Sequence, residues 1–196
     1  MEEVSSPNLT PVSHLILGFV SAGATTPYAL KQKAARSVGY FWSFPHSQFY
    51  SEPPRLVELG LLEERREETG RRRRHYTITD AGRAALDAWL REPTSEQPQI
   101  RDTGLLKLFF AEGLRAEEVA ALAIAQVAAH RERLAVYEAI DELMPDEAPG
   151  AAFHRATLRM GLLCEQAFIE FWSEVAARPP GTPERGAAAA REPAPR

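Results

Sequence analysis

The segment Ser47–Arg83 (SQFYSEPPRLVELGLLEERREETGRRRRHYTITDAGR) constrains the fold more than any other part of this chain. Its first third carries Phe49, Leu56 and Leu59 at spacings close to whole turns of an α-helix. Gly60 follows, and glycine is the residue that most often ends a helix because it adopts a left-handed backbone without a steric cost. The pattern predicts a helix that ends at Gly60.

The rest of the segment predicts a β-hairpin and a further helix. A charged run, EERREE, leads to a turn at Thr69-Gly70, and the chain returns through four arginines, 71–74. Tyr76 and Ile78 then share one face of the return strand. Thr79 is a helix N-cap residue. Helix, hairpin with a basic tip, and helix is the plan of a winged helix-turn-helix, in which one helix enters the major groove and the wing grips the flanking backbone or minor groove.

Apolar patterning predicts two helices before this segment and four after the hairpin. The first runs over 10–20, and the second starts after Thr26-Pro27 and runs over 28–37. We expect its inner side to hold Tyr28, Leu30, Ala34, Ala35 and Val38. The later helices are expected over 81–92, 102–112, 116–143 and 151–177. Pro53-Pro54 leaves two alternatives for the third helix, a kink near Tyr50, which we favour, or a start at Glu52.

The predicted fold class is mostly α, with a winged helix-turn-helix of three helices, a wing and a fourth helix, followed by an α-helical dimerisation domain. The polar break TSEQ between Pro93 and Pro98 sets the boundary, which gives a DNA-binding domain over 9–93 and a helical domain over 99–177. Residues 178–196 are rich in Pro, Ala and Gly and predict a disordered tail.

The two long helices each carry an apolar stripe. The stripe of 116–143 holds Val119, Leu122, Val127, His130, Leu134, Tyr137 and Ile140, and that of 151–177 holds Phe153, Ala156, Met160, Leu163, Ala167, Phe168, Phe171 and Val175. A hairpin of two such helices leaves one apolar face uncovered, and a second copy is the simplest cover. The chain is therefore expected to form a two-fold homodimer, and the alternative is that the hairpin folds back on its own winged helix.

Charge, apolar runs and cysteine usage narrow the class of protein. The net charge is −4, but residues 1–92 hold 12 Lys and Arg against 11 Asp and Glu, so the acidity lies in the second half and leaves local basic surface for phosphates. The sequence shows neither an apolar run of membrane-spanning length nor a signal peptide. Cys164 is the single cysteine, which excludes an internal disulfide, and we predict no membrane association and a cytoplasmic location.

Arginine is well suited to phosphate because its planar fork donates two parallel hydrogen bonds. The run Arg71, Arg72, Arg73 and Arg74 therefore predicts contact with a polyanion, and strand alternation would turn Arg72 and Arg74 to the face of Tyr76. The alternative is a solvated tip paired with the glutamates of the other strand. From the third helix we expect DNA contacts by His46, Ser47, Gln48, Tyr50, Ser51 and Arg55, with Gln48 as a candidate reader of adenine.

Nothing in the sequence predicts catalysis. It contains no phosphate-binding glycine loop, GxSxG or HExxH motif, and no His lies beside a Cys or a second His at metal-ligand spacing. We predict no catalytic residue, metal or cofactor, and Cys164 and His130 are expected in the packed interior. The aromatic residues Trp89, Phe109, Phe110, Phe168 and Trp172 either belong to the core or line a pocket for a small aromatic or apolar effector.

The sequence resembles the PadR-like transcriptional regulators. The matching stretches are HLILGFV (14–20), PYALKQKAARSVGYFW (27–42), SQFYSEPPRLVELGLL (47–62), TGRRRRHYTITDAGRAALDAWL (69–90) and RDTGLLKLFF (101–110). A winged helix alone would also fit MarR-like or ArsR-like proteins, but these stretches favour PadR. The resemblance implies a homodimer that binds an inverted-repeat DNA operator, usually as a repressor, with the larger type of helical C-terminal domain. The remaining alternative is a winged helix that binds another protein instead of DNA.

Overall fold

The computed structural model describes residues 8–68 and 72–181. The described chain contains seven α-helices and one two-stranded antiparallel sheet, which confirms the predicted fold class. The elements are α1 (Pro11–Ser21), α2 (Pro27–Ala35), α3 (Gln48–Glu58), β1 (Leu62–Arg66), β2 (Arg74–Ile78), α4 (Asp80–Arg91), α5 (Thr103–Phe109), α6 (Ala116–Leu143) and α7 (Ala151–Ala177), with short 3-10 turns at Val38–Tyr40 and Ala111–Gly113. No helix among these is both long and apolar enough to cross a membrane.

The chain divides between Gln97 and Pro98 into two compact units. The first unit has a core formed by α1, α2, α3 and the hairpin, and its members are Ile16, Leu17, Val20, Leu30, Phe49, Leu56, Leu62, Tyr76 and Ile78. Helix α1 begins firmly because Thr10 and Ser13 cap each other. The Thr10 hydroxyl accepts the Ser13 N–H at 3.3 Å, and the Ser13 hydroxyl accepts the Thr10 N–H at 2.9 Å.

Helix α3 begins at Gln48 and includes both prolines, so the alternative start at Glu52 is wrong. Phe49 and Leu56, seven residues apart, are both buried, as the spacing predicted. The favoured kink stays a prediction. In α2 the prediction was wrong for Tyr28 and Ala35, which are exposed, because the short helix buries only the narrow face of Leu30 and Ala34.

The hairpin lies against the core through one face only. Its register pairs Leu62 with Ile78 and Glu64 with Tyr76, so the buried Tyr76 and Ile78 point the same way, which confirms the prediction. The Tyr76 N–H also donates to the carbonyl of Thr25, in the loop after α1, at 2.8 Å. The wing is therefore joined to the helical part of the first unit through strand β2.

Helix α4 packs closely on the hairpin at Gly82. A Cβ atom at this position would lie 2.2 Å from the Leu61 carbonyl oxygen and 2.9 Å from Ile78 Cγ1. Thr79 caps the helix by accepting the Gly82 N–H at 3.0 Å. Farther along α4, Trp89 stacks on the buried His14 of α1, with ring centroids 4.6 Å apart.

The second unit is built on the antiparallel pair α6 and α7, whose bounds agree with the prediction. Its core holds Val119, Ala123, Val127, Trp172 and Val175, and α5 packs on it through Leu105 and Leu108. Gly161 allows the two helices to approach, because a Cβ there would lie 2.9 Å from the ring of Tyr137. Helix α5 begins at Thr103 and ends at Phe109, shorter than the predicted 102–112, since a 3-10 turn follows.

The predicted α7 stripe is only in small part the face that packs on α6. Of the stripe, Val175 is buried and Phe168 packs on the core, but Phe153, Met160 and Leu163 are 80%, 63% and 49% exposed. The buried face instead includes a charged residue, Glu165. Helix α7 is apolar on two sides, and periodicity cannot tell which side meets its partner within the chain.

A buried histidine–glutamate contact joins the two long helices. His130 Nδ1 lies 2.6 Å from Glu165 Oε2, and the His130 ring stacks on Phe168 with centroids 4.5 Å apart. Arg133 Nη1 lies 3.7 Å from the other oxygen of Glu165. His130 is thus a partnered interior histidine, as expected, while Cys164 is half-buried.

We expect Gly82→Ala to lower the free energy of unfolding of the first unit by about 3 kcal/mol, because the new methyl group meets a backbone oxygen that cannot move aside cheaply. The matched control is Gly18→Ala in α1, where nothing lies within 4 Å of the new Cβ. That change should stabilise the helix by up to about 1 kcal/mol. Urea titration read by hydrogen exchange in α1 and α3 measures both, and equal effects would contradict the close approach.

The first unit should lose stability in mild acid through His14. Burial lowers the pKa of His14 below its ordinary value of 6.5. The unfolded chain therefore binds a proton first, and the free energy of unfolding falls as the pH drops below about 6.5. His14→Phe keeps a ring against Trp89 and removes the titration. Urea titrations of both proteins at several pH values test this, and equal pH slopes would rule it out.

Candidate nucleic-acid interface

The N-terminal end of α3 presents most of the residues predicted to contact DNA. His46, Ser47, Tyr50 and Ser51 are exposed. Ser47 occupies the N-cap position, yet its side chain makes no capping hydrogen bond, so the hydroxyl is free for another partner. Tyr50 is 57% exposed despite its size. This end of the helix therefore offers hydroxyl groups and an aromatic ring to solvent.

Gln48 is placed differently from its neighbours. The residue is half-buried, and its Oε1 atom is buried without a hydrogen-bond partner among the described residues. A buried amide oxygen without a donor costs free energy. The side chain must turn outward to read a base, and a donor there would supply the missing hydrogen bond.

Arg55 is engaged within the protein. Its guanidinium donates to both carboxylate oxygens of Glu52, at 3.0 Å and 2.8 Å, and to the Ser13 hydroxyl at 3.2 Å. Burial raises the pKa of Glu52, but hydrogen bonds from Arg55 and Ser13 outweigh it and hold that pKa below its usual range. The sequence predicted that Arg55 contacts DNA and gave no sign of its hydrogen bonds within the protein. Local residue spacing cannot reveal a contact with Ser13, which lies 42 residues away.

The arginine run at the wing divides into residues with different surroundings. Arg71 lies outside the described residues. Strand β2 begins only at Arg74, and Arg72 has a left-handed backbone with φ 49°. The predicted alternation therefore does not extend to Arg72, although Arg74 does share a face with Tyr76.

Two glutamates of the opposite strand hold part of the wing. Glu64 accepts a hydrogen bond from Arg66 at 2.6 Å, lies 3.6 Å from Arg74 and accepts the Tyr76 hydroxyl at 3.2 Å. The hydrogen bond from Arg66, with the nearby charge of Arg74, lowers the pKa of Glu64. The alternative of cross-strand pairing is thus realised at Arg74.

Glu67 contacts two residues on the opposite side of the hairpin. Its carboxylate lies 3.1 Å from His75 Nε2 and accepts the backbone N–H of Arg73 at 3.3 Å. The contact with His75 lowers the pKa of Glu67. The exposed side chains of Arg72 and Arg73 make no ion pair within residues 8–68 and 72–181. These two guanidinium groups remain available to an external anion.

The five aromatic residues considered for an effector have unlike surroundings. Trp89 belongs to the first unit and stacks on His14, while Phe168 and Trp172 pack in the core of the second. Phe109 and Phe110 are 80% and 73% exposed. Phe110 lines an open groove of about 580 Å³ with Leu106, Lys107, Leu114 and Leu122. Sequence patterning did not single out Lys107, which adds a positive charge to this apolar groove.

Nothing in the described chain resembles a metal centre. Within residues 8–68 and 72–181, no three His, Cys, Asp or Glu side chains come together in a way that could hold a metal ion. In the first unit, the carboxylates of Glu52 and Glu64 are paired with arginine, and that of Glu67 contacts His75. Their charge is largely satisfied internally.

Comparison with known proteins covers both units. Residues 16–88 match the family described as Transcriptional regulator PadR-like family, and residues 100–178 match Virulence activator alpha C-term. The probable transcriptional regulator Rv1176c of Mycobacterium tuberculosis is 31% identical, over 83% of this chain and 94% of its own. The negative transcriptional regulator PadR of Bacillus subtilis is 29% identical, over 57% and 62%.

Solved structures agree in fold. Bacillus subtilis PadR in complex with operator DNA has a TM-score of 0.76 at 25% identity and covers 86% of this chain and 98% of its own. The complex of that protein with p-coumaric acid has a TM-score of 0.71 at 25% identity, over 85% and 96%. The Vibrio cholerae virulence activator AphA has a TM-score of 0.64 at 32% identity, over 85% and 96%.

These relatives are transcriptional regulators and not enzymes, as the absence of catalytic motifs predicted. The matches cover the winged helix and the helical second unit separately, and the relative from Mycobacterium tuberculosis spans both. The chain therefore belongs to the PadR-like family of transcriptional regulators, with a C-terminal region of the virulence-activator type.

Proposed function

We propose that this protein is a homodimeric repressor that binds an inverted-repeat DNA operator through α3 and the arginine wing. The similarity to Bacillus subtilis PadR solved on operator DNA, which extends over 86% of the chain, is the observation that carries the proposal. The exposed guanidinium groups of Arg72 and Arg73, which form no ion pair with any described residue, support the proposal because arginine binds phosphate with two parallel hydrogen bonds.

Each part of the interface has its own task. Arg72 and Arg73 bind phosphates and set affinity, whereas the first residues of α3 read bases. Tyr50 and Ser51 reach the groove from their exposed positions. Gln48 completes the reading by turning outward, where adenine offers a donor to Oε1 and an acceptor to the amide nitrogen. The buried, unpaired Oε1 lowers the cost of that movement.

The homodimer rests on the apolar side of α7 that the chain leaves uncovered. Phe153, Met160 and Leu163 lie on one stripe and are 80%, 63% and 49% exposed. Leu143, at the end of α6, is 82% exposed. A two-fold partner with the same stripe would bury these side chains and would present two copies of α3 to half-sites about 34 Å apart.

The proposal of repression is based on the relative from Bacillus subtilis, which is named a negative transcriptional regulator. Similarity to a virulence activator, AphA, gives activation as the opposite outcome. A reporter gene under the chain's own upstream DNA separates the two. Higher reporter output on deletion of the protein supports repression, and lower output supports activation.

A small effector is the last part of the proposal. Bacillus subtilis PadR has been solved with p-coumaric acid, an aromatic carboxylic acid. The aromatic residues Trp89, Phe109, Phe110, Phe168 and Trp172 remain the candidates for a ligand of this class in the present chain. Of these, Phe110 lines an open groove together with Lys107, whose ammonium group could pair with a carboxylate.

We expect Arg72→Ala and Arg73→Ala each to weaken binding to specific and random duplexes alike and to reduce the slope of log affinity against log salt by about 0.9, because each removes one phosphate contact. Gln48→Ala should instead relax preference at one or two base pairs, by about 1–3 kcal/mol. Arg66→Ala is the matched control, since Glu64 already holds that guanidinium. Fluorescence anisotropy over a salt series measures all four, and unchanged slopes for Arg72→Ala and Arg73→Ala would contradict the wing assignment.

We expect Met160→Glu to raise the dissociation constant of the dimer by at least about 100-fold, because an unpaired charge in a buried interface costs about 3–5 kcal/mol. Gln166→Glu adds the same charge to an exposed residue about 120° around α7 and should leave the dimer intact. Sedimentation of the full chain tests both. If the Met160→Glu protein remained dimeric, the dimer interface would have to lie on another surface.

A further inference from the structure

A polar cluster fixes α3 to α1 on the side away from the exposed Tyr50. We define the Glu52 clamp as Ser13, Glu52 and Arg55. Ser13 is fully buried on α1 and donates its hydroxyl proton to Glu52 Oε1 at 2.6 Å. Arg55 holds both oxygens of the same carboxylate. Three donor atoms, Ser13 Oγ and the Nε and Nη2 atoms of Arg55, therefore converge on one carboxylate at the boundary of two helices.

The Ser13 hydroxyl has hydrogen-bond partners both at the start of α1 and on α3. Its only proton goes to Glu52, and its oxygen accepts N–H groups from the Thr10 backbone at 2.9 Å and from Arg55 at 3.2 Å. Arg55 also donates to the carbonyl of Asn8 at 3.3 Å. The N-terminal end of α1 and the middle of α3 are thereby joined by directional bonds, in contrast to the non-directional packing of Phe49 and Leu56.

Directional bonds determine how far α3 can rotate about its own axis. With side chains, an α-helix has a radius of about 5–6 Å, so a rotation of about 20° moves an exposed side-chain tip by about 2 Å. Hydrogen bonds to bases tolerate only about 0.5 Å of variation in length. If apolar packing alone held α3, rotation of the helix could move Tyr50 and Ser51 beyond hydrogen-bonding distance of the bases.

We propose that Glu52 and Arg55 are positioning residues that set the rotation of α3 for sequence readout, and that Arg55 does not contact DNA. This inference rests on the proposed DNA-binding function. It replaces the expectation from sequence that Arg55 binds the operator, and it extends the set of specificity-determining residues to Ser13, on a helix outside the helix-turn-helix contact surface.

Positioning and direct contact predict opposite results for Glu52. If Arg55 bound phosphate, Glu52→Gln would release its guanidinium, and the affinity and the salt slope would stay the same or increase. If the clamp positions α3, Glu52→Gln and Arg55→Gln break the same unit. Both should then lower the ratio of specific to random affinity roughly tenfold, with an unchanged salt slope, and the double variant should be no worse than the poorer single variant.

The experiment uses the full chain and a duplex that the wild type selects from a random-sequence library. Affinities for this duplex and for random duplex are measured over a salt series, with the active fraction titrated for every variant so that loss of folded protein does not enter the ratio. Arg55→Lys adds a second test, because lysine keeps the charge for a phosphate but cannot hold both oxygens of Glu52. Arg83→Gln is the control, since Arg83 of α4 donates to Ser21 of α1 and is not a member of the Glu52 clamp.

Equal loss of preference in Glu52→Gln, Arg55→Gln and Arg55→Lys, at the wild-type salt slope, is the expected result. A slope reduced by about 0.9 in Arg55→Gln, with Arg55→Lys close to wild type, would overturn the positioning role and restore Arg55 as a phosphate ligand. A wild type that selects no sequence would instead overturn the proposed function itself.

Discussion

Burial of one edge of α3 against the core of the first unit is the constraint on which the rest of the structure depends. Phe49 and Leu56 are 2% and 0% exposed, and they set which side of the helix remains for solvent. The same burial leaves Tyr50 outside, since residues adjacent in a helix point about 100° apart. The hairpin and α4 then close over the remaining core through Tyr76, Ile78 and the close approach at Gly82.

Apolar burial determines which side of α3 faces the core but not its exact rotation about the helix axis. The hydrogen bonds of the Glu52 clamp determine that rotation. Three glutamates of the first unit pair with basic side chains close to them. Glu52 pairs with Arg55, Glu64 with Arg66 and Arg74, and Glu67 with His75. Each of these glutamates has a pKa below its usual range, so each remains ionised under ordinary conditions. These glutamates thus engage Arg55, Arg66 and Arg74, whereas the guanidinium groups of Arg72 and Arg73 form no ion pair with any residue that the structure describes.

Sequence reasoning succeeded where the determining interactions are local. Thr79 caps α4, and the bounds of α6 and α7 follow from proline, glycine and apolar spacing within each segment. It could not find contacts between residues distant in sequence. The hydrogen bond from Arg55 to Ser13 spans 42 residues, and the side of α7 that packs on α6 depends on Gly161 meeting Tyr137. The left-handed backbone of Arg72 was missed because arginine carries no preference for that conformation.

The His130–Glu165 pair has a consequence for how the second unit can evolve. A slip of α7 against α6 by one turn, 5.4 Å, would leave Glu165 buried without its histidine, so the pair admits one alignment of two helices that are otherwise rich in interchangeable alanine. Buried polar groups are best attested in this role of fixing register. Replacing His130 or Glu165 alone leaves the other buried polar group without this hydrogen-bond partner, whereas replacing both with apolar residues leaves neither. Descendants of this chain should therefore keep both residues or lose both together.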